Sequence, residues 1–133
     1  MTSGQAARLG EAFRLLQSGR ASEALAIAKS AAAAEPAAAD PQHMLALCHK
    51  ALGDEPSAVA AFDAALARAP RDPHLLGNYA NFLTRLRRYE EAIALYRRAI
   101  DLEPSHAEAW TNLGLTLLEL GDSAAARASL ERA

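Results

Sequence analysis

With 133 residues, 51% of them hydrophobic and only 5% aromatic, the chain is too apolar for a disordered polymer and must pack chiefly through Ala and Leu. Fourteen Lys and Arg against sixteen Asp and Glu leave a net charge of −2, which removes the electrostatic case for sequence-independent DNA or RNA binding. A single cysteine, Cys48, excludes an intramolecular disulfide framework and suits a reducing compartment.

The N-terminal stretch lacks a basic segment followed by an unbroken apolar one, because Arg8, Glu11 and Arg14 interrupt it. Nor is there anywhere an apolar run of about 18 residues, the length a membrane helix needs. A cytoplasmic protein with no membrane partner is expected, bacterial in style because Arg and Ala are favoured over Lys.

The chain repeats itself. Pro36, Pro70 and Pro104 follow one another at 34 residues, as do Ala24, Ala58, Ala92 and Ala126, and Ala31, Ala65, Ala99 and Ala133. A period of this length, with a large residue four after the first Ala and a closing Pro, is that of a helix-turn-helix array. The spacing therefore predicts an all-α fold in one domain over 5–133, with repeats at about 5–38, 39–72, 73–106 and 107–133 and a lead-in of residues 1–4.

In the first repeat, Leu15, Gly19, Ala24 and Ala28 hold the register, while Arg8 and Glu11 stand where large apolar residues are expected. Polar residues suit a first repeat, whose outer side has no neighbour. Gly19 can take the positive φ that ends a helix, and Ser22 is the expected cap of the next. Asp40-Pro41 and Asp72-Pro73 read as N-cap and first helical residue of repeats two and three, and Asp54-Glu55-Pro56 as a turn between helices. Arg87 replaces the glycine found at Gly19, Gly53 and Gly121, so that turn either changes type or carries a cost of about 1 kcal/mol. Ser105 to Glu108 has the spacing of a capping box. The last helix reaches Ala133 without a closing Pro or a polar capping helix. The expectation is that the polypeptide continues; the alternative is that another molecule covers the last helix.

These residues resemble the tetratricopeptide repeat family over nearly the whole chain, most closely at Ala107 to Gly114 with Gly121-Asp122, and at Tyr89 to Ala92 through Ala99 to Pro104. The resemblance implies a right-handed α-α superhelix, a solenoid of antiparallel helix pairs. Its first helices would line a concave groove that holds a peptide or a segment of another protein.

Helical geometry then selects groove candidates. If Tyr79, Ala80 and Leu83 face partner helices, His74, Asn78, Asn81 and Arg85 face elsewhere, and the matching residues of repeat four include Glu108, Thr111 and Asn112. Repeats one and two offer a more apolar set, with Phe13, His43, Leu47 and Lys50. Asn78 and Asn112 lie one period apart, and an amide suits a peptide backbone because it both donates and accepts. In this the last two repeats look like the asparagine ladder of the tetratricopeptide region of O-linked N-acetylglucosamine transferases. The plainer account is that these Asn residues satisfy only nearby backbone or solvent.

The arginines around Arg87 read as a solvated face, and the four histidines lack metal-ligand spacing. Cys48 reads as a buried structural thiol, and Trp110, Tyr79, Tyr89 and Tyr96 as packing residues. No phosphate loop, nucleophile elbow or carboxylate pair is present, so no cofactor and no catalytic residue are expected. The function expected is a non-catalytic protein-interaction module. The alternatives are the substrate-recruiting adaptor of a larger enzyme, such as a glycosyltransferase, sulfotransferase or hydroxylase, or a scaffold that self-associates through its uncapped C-terminal helix.

Overall fold

The computed structural model describes residues 3–133. Among them it has eight helices and no strand: α1 Ser3–Gln17, α2 Ala21–Ala34, α3 Ala39–Ala51, α4 Glu55–Arg68, α5 Pro73–Arg85, α6 Tyr89–Leu102, α7 Ala107–Leu120 and α8 Ser123–Arg132. Each 34-residue period yields one helix pair. Ser3 and Gly4, expected in a lead-in, are already helical, while Met1 and Thr2 lie outside the described residues. The chain forms two compact units, residues 1–70 and 71–133, each of two helix pairs.

The turn inside each pair is built one way four times. The N–H groups of Arg20, Asp54, Arg88 and Asp122 reach back five residues to the carbonyls of Leu15, His49, Leu83 and Leu117 at 2.8–2.9 Å. Such a bond satisfies a carbonyl orphaned at the helix end, and it requires the residue just before the donor to be left-handed. Gly19, Gly53 and Gly121 meet that need with φ of 79°, 79° and 95°. Arg87 meets it as well, at φ 63°, so the turn type is kept and the side chain carries the strain.

The second helix of each pair opens by one of two devices. Asp54 and Asp122 accept from the backbone N–H groups of Ser57 and Ala125 at 3.2 and 3.1 Å. Arg20 and Arg88 occupy the same place and cap nothing; each instead grips the carboxylate three residues on, Glu23 or Glu91, through two bonds of 2.7–2.8 Å. Ser22 is therefore not the cap of α2. The helices α2, α4 and α6 end at Glu35, Ala69 and Glu103, whose φ of −133° to −140° and ψ of 69° to 82° lie outside the α region that a following proline disfavours.

Three helix starts can be set against the sequence. Asp72 caps α5 as expected, accepting from His74 and Leu75 N–H at 3.0 and 3.3 Å. Helix α3, however, opens at Ala39 after Ala38, which has no side-chain cap bond. Asp40 thus lies in the first turn, where its charge suits the helix dipole, and Pro41 still falls in that turn, where a missing N–H forfeits no helical bond. At α7 the cap is His106 and not Ser105: its ring Nδ1 accepts from Ala109 N–H at 3.2 Å.

Small residues let the helices approach. In the first unit Ala12, Ala24 and Ala28 pack with Cys48, all fully buried, and Leu15, Leu16, Leu25, Ile27, Met44 and Leu45 close around them. Burial pushes the Cys48 thiol up to about 11, so it stays protonated at neutral pH. At the outer helix Arg8 donates to Ser30 of α2, and Leu9 and Ala12 carry the buried face of α1. In the second unit Leu75, Leu76, Tyr79, Leu83, Ile93, Tyr96, Leu113 and Leu117 make a larger-residue core. There Gly114 is a contact point: a Cβ on it would meet Leu130 Cγ at 2.6 Å and the Ala126 carbonyl oxygen at 3.3 Å.

Two stability changes follow. Gly114→Ala should destabilise by about 1–3 kcal/mol through overpacking, and combining it with Leu130→Ala should cost less than the two changes summed, as read in a urea-denaturation double-mutant cycle. Arg87→Gly should raise the urea midpoint, by up to about 1 kcal/mol in stability, because it relieves the left-handed strain.

Candidate functional site

In the second unit, α5 and α7 lie side by side with α6 beneath them, and their shared face carries an open pocket of about 500 Å³. Asn81, Thr84 and Arg85 of α5 and Asn112, Leu115, Thr116, Leu118 and Glu119 of α7 form its walls, with Tyr89 and Tyr96 contributed by α6. Helical spacing explains the α5 set, since residues three and four apart share one face.

A polar network joins the walls. Asn81 Oδ1 accepts from Asn112 Nδ2 at 3.0 Å and from the Tyr96 hydroxyl. Thr84 Oγ1 and Thr116 Oγ1 stand 3.2 Å apart, each also donating to the carbonyl four residues back, Ala80 at 3.0 Å and Asn112 at 2.8 Å. Two amide groups take no partner among the described residues: Asn81 Nδ2, a donor, and Asn112 Oδ1, an acceptor. The side chain of Tyr96 is buried, and this holds its hydroxyl above the ordinary phenol range; the charge of Glu108 pushes the same way, while the Thr84 and Thr116 hydroxyls oppose it. Tyr96 is thus a neutral donor at physiological pH.

The pocket rim carries charge and apolar surface together. Arg85 and Glu119 are exposed, as are Leu115 at 51% and Leu118 at 46%. Toward the other end of the same face, a smaller recess of about 30 Å³ is bordered by His74, Asn78, Glu108 and again Asn81, Tyr96 and Asn112. The His74 and His106 rings flank it, tilted 57° with centroids 6.0 Å apart.

Six of the residues singled out from sequence, His74, Asn78, Asn81, Arg85, Glu108 and Asn112, thus border one continuous face. Thr111 is half-buried on α7 and borders neither recess. Phe13, His43, Leu47 and Lys50 belong to the first unit: Phe13 is 46% exposed, and the His43 ring packs on Phe62 at 5.9 Å. The direct partner of Asn112 is Asn81, not the Asn78 one period away. Sequence reasoning missed Tyr96, read there as packing alone, and Thr116. The signal for Tyr96 was its chemistry, since a buried tyrosine hydroxyl needs a partner and Asn81 offers one.

No three His, Cys, Asp or Glu side chains among the described residues are grouped so as to hold a metal ion.

Known proteins resemble this chain along nearly its full length. A family model described as a tetratricopeptide repeat matches residues 15–82, and one described as a TPR repeat matches residues 80–121. The type IV pilus assembly protein PilF of Pseudomonas aeruginosa is 30% identical over 122 residues, 88% of this chain and 47% of that protein. Its solved structure aligns with a TM-score of 0.90 at 28% identity, covering 96% of this chain and 59% of that one. The Hsp70-Hsp90 organizing protein of Triticum aestivum is 35% identical over 71 residues, 53% of this chain and 12% of that protein. PilW, a type IV pilus biogenesis factor, shares the fold at a TM-score of 0.89 and 23% identity, covering 99% of this chain and 61% of that one. The chain spans less than half the length of these two curated relatives.

The network makes a pH prediction. The folded state favours the neutral Tyr96 phenol, so this stabilisation is complete below the unfolded phenol pKa of about 10 and is lost as pH rises through the higher folded value. Tyr96→Phe should cost about 1 kcal/mol at neutral pH and should lose stability less steeply above about pH 10 than the parent chain, in urea titrations at stepped pH.

Proposed function

The chain belongs to the tetratricopeptide repeat family, and we propose that it is a non-catalytic protein-interaction module whose second unit holds an extended peptide segment against α5 and α7. One observation carries the reading. Asn81 Nδ2 and Asn112 Oδ1 leave a donor and an acceptor unused on the wall of one pocket, held in place by the bond between the two side chains. A peptide group offers the complementary acceptor and donor whatever its side chain, so such a pair binds backbone before it reads sequence. The Tyr96 hydroxyl holds the Asn81 amide in place, which lowers the ordering cost of binding.

The relatives support it in kind. One is named for organizing Hsp70 and Hsp90 and the other for pilus assembly, both tasks of protein association. A cytoplasmic setting is supported by the single buried Cys48, and no described helix is long and apolar enough to cross a membrane. A second reading, self-association through α8, is favoured by the exposure of Leu118 and Leu130 beside Arg127 and Glu131; a concentration-independent monomer in sedimentation would remove it.

The test is affinity capture from a lysate of the source cells with the intact chain and with an Asn81→Ala, Asn112→Ala variant whose helicity is confirmed by circular dichroism. The partner should be retained by the first and lost by the second, each substitution weakening binding by about tenfold. Equal retention by both would place binding elsewhere and overturn the proposal.

A further inference from the structure

A segment bound through its backbone must also place its side chains, and the pocket rim decides which of them fit. Arg85 and Glu119 stand one period apart, at the same place on α5 and α7, and both are exposed on the rim of the same pocket. Neither forms an ion pair among the described residues. Their surroundings behave otherwise: Arg88, three residues beyond Arg85, is held by Glu91 through bonds of 2.8 and 2.7 Å, and Arg20 is held likewise by Glu23. Both of those arginines have a carboxylate three residues on. Arg85 is the last residue of α5, and the positions three and four before it on that helix are Phe82 and Asn81, neither a carboxylate. The rim therefore presents one unpaired cation and one unpaired anion, with the exposed side chains of Leu115 and Leu118 in the same wall.

Resting on the peptide reading, we propose that this pocket selects a segment in which a large apolar side chain stands between an acidic and a basic residue, the acid meeting Arg85 and the base meeting Glu119. The spacing follows from geometry. Packed helices lie about 8–10 Å apart, and an extended chain advances about 3.3 Å per residue, so the two charges of the ligand stand two or three residues apart. The apolar side chain between them covers Leu115 and Leu118, and removing that surface from water supplies affinity while the charges set direction. A segment with the charges exchanged meets two like-charge contacts and is rejected.

A random peptide library displayed on phage, panned against the full chain, tests this. Parallel pannings use Arg85→Glu with Glu119→Arg, and Asn81→Ala with Asn112→Ala, all checked for helicity by circular dichroism. The expected result is enrichment of acid–apolar–base segments by the parent chain, inversion of the charge order by the exchanged rim, and loss of enrichment in the asparagine variant. A synthetic enriched peptide should bind the exchanged rim at least about tenfold more weakly than the parent, and its charge-inverted version should regain that factor. Enrichment that depends on the asparagines but keeps the same charge order on the exchanged rim would overturn the charge selection and leave the peptide pocket standing. No enrichment by the parent, or enrichment indifferent to the asparagines, would overturn both.

Discussion

Everything in this chain rests on a single backbone requirement, the left-handed residue between the two helices of each pair. The bond that spans five residues there turns the chain back on itself and so makes the second helix antiparallel to the first. Once reversed, the helices can approach only where side chains are small, which is why Ala24, Ala58, Ala92 and Ala126 recur at the same step and are all fully buried. Gly114 takes this to its limit, leaving no room even for a methyl group. At Arg87 the requirement outweighs the residue: the conformation is kept although the side chain disfavours it.

The two units solve the packing problem with different materials. The first leans on alanine and Cys48, surrounded by partly buried aliphatic residues, while the second buries Leu75, Leu76, Leu83 and Tyr96. Both units bury a large aromatic residue, Phe62 in the first and Tyr96 in the second, but only the tyrosine carries a polar group into the core. The Tyr96 ring fills the interior of the second unit while its hydroxyl, which must be satisfied, emerges at Asn81 on the face shared by α5 and α7. Core packing and pocket geometry are therefore one structure, and the amides are positioned from below.

Charge is partitioned along the same lines. Arg20 and Arg88 stand at helix starts, where a positive charge opposes the dipole, and each is neutralised by the glutamate three residues later. Glu91 is accordingly held below the ordinary carboxylate range, chiefly by its bond to Arg88. Asp54 and Asp122 fill the same place without help because their carboxylates meet the exposed N–H groups directly. Against this background of local pairing, the unpaired Arg85 and Glu119 at the pocket stand apart.

The sequence by itself determined the period, the helical class, the places of the turns and the closing prolines, because each is written in a few adjacent residues. It also determined the cap at Asp72, while at Arg87 it left two outcomes open, of which the structure keeps the left-handed turn. Along one face it brought out His74, Asn78, Asn81, Arg85, Glu108 and Asn112, since helical periodicity sorts residues by face without knowing their neighbours. Local signals with two near-equal solutions misled it: Asp40 and Ser105 are good caps, yet the N-cap positions fall at Ala38 and His106, where the array's register places the same position as Asp72. Only the tertiary structure decided that Asn112 meets Asn81, that Tyr96 donates to Asn81 and that Thr84 meets Thr116. Those choices depend on how α5, α6 and α7 come together, a distance between residues 15 to 32 apart in the chain that no local pattern encodes.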